Sequence, residues 1–192
     1  MSNETSKAMK RRKGETLIPW NKIFQGNGID VGCGPDKLPF EDCIGFDLGD
    51  GDANKLDEYF PENHFDYLHA SHVLEHMYDA TDALLRWLKV VKPGGHIVGE
   101  VPSWELYEGK RSRSIYNPDH KSTWSMWNKI GAGELPHHFA PNFFSTMTGS
   151  FYPIQVRLVD ANYDYIVGSS IDQTNTPGNE VECFIEFVIK KI

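Results

Sequence analysis

The sequence predicts an α/β fold: a mostly parallel sheet whose strands are joined by crossovers. Short apolar runs at residues 28–34, 43–47, 65–71 and 96–102 have strand length. One long helical pattern lies between the third and fourth runs. Strands that alternate with helical patterns pair in parallel through such crossovers. At 192 residues, 40% hydrophobic and 24% charged, the chain fits one ordinary globular domain with a real core.

The elements follow in order. "GIDVGCG" (28–34) reads as a buried strand entering a tight loop, and Pro35 and Pro39 oppose a long helix after it. "CIGFD" (43–47) is a second strand that ends on an acid, and "NKLDEYF" (54–60) a short helix. "FDYLHAS" (65–71) is the third strand. In the helix that follows, Ala80, Leu84, Trp87, Leu88 and Val91 share one face. Asp79 or Thr81 is placed to cap it, and Lys92-Pro93-Gly94-Gly95 to stop it. "HIVGEVP" (96–102) is the fourth strand.

Residues 103–150 are irregular and rich in Trp, Tyr, His and Pro, which reads as an insertion or lid. "PIQVRLVD" (153–160) and "EVECFIEFVIKK" (180–191) have strand composition, and residues 161–179 between them show no helical period. An antiparallel pair with a long connection fits this ending.

Charge is uneven. Residues 1–14 carry Lys7, Lys10, Arg11, Arg12 and Lys13 against Glu4, a net of +4, so in a chain of net −8 the remainder carries −12. An acidic body argues against broad contact with nucleic acid, and the basic segment reads as a solvated, disordered tail. No apolar run reaches the roughly 20 residues of a membrane span, and no secretory h-region is visible. Cys33, Cys43 and Cys183 lack metal-ligand spacing and read as reduced thiols of a cytoplasmic protein. A homo-oligomer is compatible with all of this.

The groups that carry chemistry converge on one edge. Gly32 to Gly34, Asp47, Ser71-His72 and Pro102-Ser103 all fall at strand C-termini, where open α/β sheets bind ligands. Glycines at 32 and 34 let the backbone turn sharply against a ligand. Asp47 is placed to accept from a ribose diol, and Asp52-Ala53 to meet an adenine edge. A dinucleotide fingerprint wants a third glycine where Lys37 stands, an acid further on than Asp47, and a helix N-terminus for the pyrophosphate. A ligand without phosphate suits the loop better.

His72-Val73-Leu74-Glu75-His76 matches the H-x-x-E-H pattern of one zinc peptidase class. Zinc held by His72 and His76 requires both on one helical face, with a third ligand from elsewhere. Here His72 follows directly on a strand and the capped helix begins near Asp79. The motif reads as a strand exit and a turn, and no metal is expected.

Together these segments resemble the class I S-adenosylmethionine-dependent methyltransferases. The resemblance rests on "GIDVGCGPDKLPF", "GFD", "GDA", "FDYLHASHVLEHMYD" and "LLRWLKVVKPGGHIVGEVP", spanning residues 28–102. It looks like the small subgroup with a shortened first crossover and an "SHxLEH" segment. It implies a Rossmann-like sheet with helices on both faces and a C-terminal antiparallel pair. It also implies one methyltransferase domain over residues 15–192, with a lid at about 103–150. The implied cofactor is S-adenosyl-L-methionine, the product S-adenosyl-L-homocysteine. By resemblance Gly32, Cys33 and Gly34 wrap the methionine part, with Asp30 near its amino group. Asp47 binds the ribose, Leu48 packs on the adenine, Asp52 and Ala53 contact its edge, and Ala70 and Ser71 close the site. The abbreviated 35–53 region departs from the family pattern and leaves no room for a regular first helix.

An acceptor hydroxyl or amine must lose a proton, and His72 is the first candidate base by location. His120, near Asp119 and Tyr116, is the second. Either histidine could instead serve structure. The lid aromatics Trp104, Tyr107, Tyr116, Trp124, Trp127, Phe143 and Phe144, with His137 and His138, suit an acceptor pocket or a small secondary core. Lys110, Arg111 and Arg113 suit an anionic acceptor or a solvated loop. The reading is methyl transfer to a small-molecule acceptor such as a carbohydrate or secondary metabolite. Its rivals are a macromolecular (protein or RNA) acceptor, a non-catalytic cofactor-binding protein and a nicotinamide-dependent oxidoreductase.

Overall fold

The computed structural model describes residues 3–147, 151–175 and 180–192. Helices α1 (Glu4–Arg12) and α2 (Trp20–Ile23) precede strands β1 (Gly28–Val31) and β2 (Cys43–Phe46). A 3-10 turn (Ala53–Glu58) leads to β3 (Phe65–Ser71), a second 3-10 turn (Leu74–His76), α3 (Ala80–Val90) and β4 (Val91–Pro102). The chain continues through β5 (Thr123–Ser125), β6 (His137–Phe139), α4 (Ala140–Thr146), β7 (Phe151–Val159) and β8 (Phe184–Lys191).

Six strands form one sheet in the order β2-β1-β3-β4-β8-β7. β2, β1, β3 and β4 run parallel, and β8 lies antiparallel between β4 and β7. This is the mostly parallel, Rossmann-like sheet with a C-terminal antiparallel pair. Residues 32–42, between β1 and β2, hold turns and no helix. α3 is capped by Asp79, whose Oδ1 accepts from the amides of Thr81 at 2.8 Å and Asp82 at 3.1 Å. It stops at Val90, two residues before the expected Lys-Pro-Gly-Gly breaker. That tetrapeptide instead bulges from β4: Phe65 pairs with Val91, yet Tyr67 pairs with His96. Pro93 has no N–H to give a ladder, so the strand loops outward around it. Among the described residues no helix is long and apolar enough to cross a membrane.

Both faces of the sheet are covered, which explains why its central strands read as largely apolar runs with little alternation. On one face Ile29, Leu68, Ile97, Ile185 and Phe187 pack with Leu84 and Trp87 of α3. On the other, Tyr67, Val98 and Val188 pack with Trp20, Ile23 and Phe24. The second face also carries a row of polar side chains on four neighbouring strands: Asp30, His69, Glu100 and Glu186, all buried.

That row explains α1. The basic segment, expected as a disordered tail, is a helix that brings guanidinium groups to those acids. Arg12, 2% exposed, donates to Glu100 at 2.5 Å and to Glu186 at 3.0 Å, and lies 4.9 Å over the Trp20 ring. Arg11 donates to Glu182 at 3.0 Å and to Glu186 at 2.8 Å. Arg157 donates to Glu186 from β7 at 2.6 Å. Carboxylates in a sheet face are costly to bury without cations, so the helix docks where the charges are. Charge counted along the chain does not reveal this; the strand register does.

Burial opposes ionisation of Glu186, but Arg12, Arg11 and Arg157 overcome it and hold its pKa well below the usual carboxylate range. A carboxylate depressed in the folded state stabilises at pH above its unfolded pKa, about 4.3, and loses that contribution as pH falls below it. Denaturant midpoints are therefore expected to fall steadily from pH 5 to pH 3. In Glu186→Gln this acid-limb slope is expected to be shallower; an identical slope contradicts the ion cluster.

Candidate active site

Three cavities meet at the C-terminal edge of the parallel strands. The first, about 460 Å3, is lined by Gly32, Asp47, Leu48, Asp52, Ala53 and His72, with Met77 and Tyr78 across from them. The second, about 240 Å3, lies between α1 and the glycine loop and is lined by Glu4, Thr5, Gly32, Cys33, Gly34, Ser71 and His72. The third, about 290 Å3, is walled by His72, Glu75, Tyr107, Tyr116 and His120, with Glu4 of α1 on its rim. Among the described residues His72 is the one side chain that lines all three.

The loop is built for close approach. Gly32 has φ +66°, and a Cβ there would stand 2.4 Å from Val73 Cγ2. The Gly34 amide donates to Asp47 Oδ2 at 2.9 Å, and the Leu48 amide to Asp47 Oδ1 at 2.8 Å. Asp47 thus ties the glycine loop to the end of β2 and keeps acceptor capacity towards the cavity. Leu48 is 94% exposed, an apolar side chain on the cavity rim that a flat base would cover. Asp52 caps the following turn by accepting from the Asn54 amide at 2.9 Å. α1 closes the second cavity: the Ser6 amide and hydroxyl both donate to the Asp36 carboxylate.

Not every expected residue meets the ligand space. Asp30 lines none of the three cavities. It accepts from the Leu38 amide at 2.7 Å and sits 2.7 Å from His69 Nδ1, so it braces the loop from beneath. Ala70 is buried in the core beside Val73 and also lines none of them. Ser71 lines the second cavity, but its hydroxyl donates to Glu100 at 2.6 Å. Among the aromatics of residues 103–147, Trp124, Phe143 and Phe144 pack into the core, while Tyr107 and Tyr116 reach the third cavity. Arg113 pairs with Glu134 at 2.8 Å, and Lys110, Arg111 and Arg113 line no cavity described above. Sequence reading missed Met77, Tyr78 and the α1 residues Glu4 and Thr5. The first two sit beside the "LEH" turn, so their adjacency was a usable signal.

His72 has φ +56°, a left-handed backbone unusual for a side chain with Cβ and a form of strain found at functional sites. Its side chain is 27% exposed, and Nδ1 lies 3.5 Å from Glu75 Oε1. Burial disfavours the charged imidazole, but the Glu75 carboxylate outweighs it and raises the pKa to about 9. This raised pKa favours the protonated, hydrogen-bond-donating form of His72 over the neutral base its location suggested. His120 is 4% exposed, with Nδ1 2.6 Å from Glu108 Oε1.

The residues present fit an adenosyl sulfonium. A carboxylate stands where a ribose diol needs an acceptor, an apolar rim where a base needs a face, and a Cβ-free loop between them. The edge is acidic, which suits a cationic ligand.

Comparison with known proteins agrees. A family model described as "Methyltransferase domain" matches residues 5–147. A search of the curated proteins finds no match. Among solved structures the chain is similar to a proposed S-adenosylmethionine-dependent methyltransferase from Listeria monocytogenes, at TM-score 0.61 and 12% identity over 99% of each chain. It is also similar to an S-adenosylmethionine-dependent methyltransferase from Archaeoglobus fulgidus, at TM-score 0.55 and 18% identity over 99% of this chain and 95% of that one. A third, from Methanosarcina mazei, matches at TM-score 0.53 and 16% identity, covering 93% and 99%. At such identities the structures speak for the fold, and the family model speaks for the sequence. The chain belongs to the methyltransferase-domain family, and S-adenosyl-L-methionine is its cofactor.

Proposed function

We propose that this methyltransferase acts on a small-molecule acceptor, a carbohydrate or secondary metabolite with a reactive hydroxyl or amine. The observation that carries the reading is the third cavity, about 290 Å3, which joins the cofactor cavities at His72. It is walled by α1, by the "LEH" turn and by residues from the 103–147 segment, which we assign as a lid. That space suits a small ligand. A macromolecular acceptor drew its support from the basic N-terminal segment, and Arg11 and Arg12 are spent on internal ion pairs. The helix-free connection between β1 and β2 supports membership of the subgroup with a shortened first crossover and an "SHxLEH" segment. Three free cysteines fit a reducing, cytoplasmic setting.

S-adenosyl-L-methionine supplies an electrophilic methyl group on a sulfonium. The chain's task is position and electrostatics. Gly32, Cys33 and Gly34 hold the methionine end, while Asp47, Leu48, Asp52 and Ala53 hold the adenosine. His72 stands at the junction and donates to an acceptor group beside the reacting atom, which keeps its lone pair free for in-line attack; the carbon–sulfur bond breaks as the new bond forms, and the proton lost by the reacting hydroxyl or amine passes to solvent. His120, Tyr107 and Tyr116 line the space behind it.

In a labelled-methyl screen of small-molecule extracts, wild-type protein is expected to label a low-molecular-weight product. With that acceptor, His72→Ala is expected to lower turnover about 100-fold, a usual size for misplacing the reacting group. Its affinity for S-adenosylhomocysteine is expected to stay within about threefold, since Asp47, Leu48, Asp52 and the glycine loop, and not His72, are assigned to hold the cofactor. Label found in protein or RNA instead, or unchanged turnover, contradicts the assignment.

A further inference from the structure

Glu75 is fully buried, yet neither of its carboxylate oxygens has a hydrogen-bond partner. A carboxylate without hydrogen bonds is costly in that setting, and buried charges are as a rule paired or bound to metal. Around it stand imidazole nitrogens at distances too long for hydrogen bonds, the nearest of them His72 Nδ1 at 3.5 Å from Oε1. His76 Nε2 and His120 Nε2 each lie 4.0 Å from Glu75 Oε1. One ligand atom from each of Glu75, His76 and His120 can be chosen so that all lie within 4.8 Å of one another.

The rest of the geometry matches a metal site. Ligating histidines characteristically turn their other ring nitrogen to a carboxylate, which fixes the tautomer and the ring plane. His120 does so towards Glu108, at 2.6 Å, and His76 towards Asp119, at 3.4 Å. Both Nε2 atoms are left for Glu75. The backbone holds the two halves together: the amides of Lys121 and Ser122 donate to the Glu75 carbonyl at 2.7 and 3.2 Å, which brings His120 against the Leu74–His76 turn. The pairing of His72 with His76 suggested by H-x-x-E-H is not the arrangement present; His120, from the segment after β4, completes the group with Glu75 and His76.

We propose that Glu75, His76 and His120 bind one divalent cation of the zinc class. Two imidazoles and one carboxylate suit first-row transition ions better than magnesium or calcium, and three protein ligands leave positions open. His76 lines both the first and third cavities, so the ion would sit where cofactor and acceptor meet. That consequence rests on the methyl-transfer reading; the binding itself does not.

The test uses the full chain, stripped with chelator and titrated with cobalt(II), whose visible absorption reports its coordination. Saturation at about one ion per chain is expected, with four- or five-coordinate bands that zinc displaces. Glu75→Gln and His120→Ala are expected to weaken binding at least 100-fold, and Glu108→Gln 10- to 100-fold through the tilt of His120. S-adenosylhomocysteine affinity is expected to persist in Glu75→Gln and His120→Ala, because neither residue lines the two cofactor cavities. Absence of saturable cobalt binding by folded wild-type protein, or unchanged binding in the variants, overturns the proposal even if a variant misfolds. Failure to bind S-adenosylhomocysteine while cobalt still binds would instead count against the cofactor assignments.

Discussion

Replacement of Arg12 by alanine is expected to destabilise the fold by about 3–5 kcal/mol, the usual consequence of leaving buried charge uncompensated. For a chain of this size that corresponds to a melting temperature lower by roughly 6–20 °C. The reason is local. Glu100 and Glu186 are fully buried on adjacent strands, and Arg12 donates to both. Its removal leaves Glu186 to Arg11 and Arg157, and leaves Glu100 with Arg11 at 3.8 Å and the Ser71 hydroxyl. Lysine at this position keeps the charge but not the two-armed geometry, so Arg12→Lys is expected to recover only part of the loss. Calorimetric melting of the three proteins checks this. A change under about 0.5 kcal/mol in Arg12→Ala, the range of an ordinary surface substitution, means that α1 does not dock as described.

Asp47→Ala is expected to weaken S-adenosylhomocysteine binding by roughly 100- to 1,000-fold, with a much smaller change in melting temperature. Asp47 accepts two backbone amides, one from the glycine loop and one from Leu48. The proposed ribose diol contacts are hydrogen bonds to a charged group, worth about 1.5–3 kcal/mol each, and they are lost together with the exposed ties that preorganise the loop. About 3–4 kcal/mol of binding energy is two to three decades of affinity. Equilibrium dialysis or calorimetry on Asp47→Ala and Asp47→Asn separates charge from shape. Affinity within threefold of wild type removes Asp47 from the site.

The parallel core of the fold was legible because its elements announce themselves locally. The runs at 28–31, 43–46 and 65–71 are short and largely apolar, and Asp79 caps α3 through its own side chain. The C-terminal pair was legible from composition and from the missing helical period. What stayed hidden depends on register and distance. α1 looked like a tail because its partners, Glu100, Glu182 and Glu186, lie far along the chain and come together across β4 and β8. Asp30 looked like a cofactor ligand from its place beside the glycines; its side chain points under the loop, to Leu38 and His69. The aromatic content of residues 103–147 fitted a pocket and a core equally; Tyr107 and Tyr116 line the third cavity, and Trp124 and Phe144 are in the core. His72 was found by position, while its charge state depends on the burial of Glu75, which no local pattern encodes.

The central claim is that the loop after β1 and the carboxylate after β2 hold an adenosyl group that carries no phosphate. Isothermal calorimetry of the full chain with S-adenosylhomocysteine, run beside NAD, tests it most directly. The structure predicts one saturable site per chain for S-adenosylhomocysteine and no heat with NAD. Saturable binding of NAD, or no heat with S-adenosylhomocysteine on protein that melts cooperatively, contradicts it.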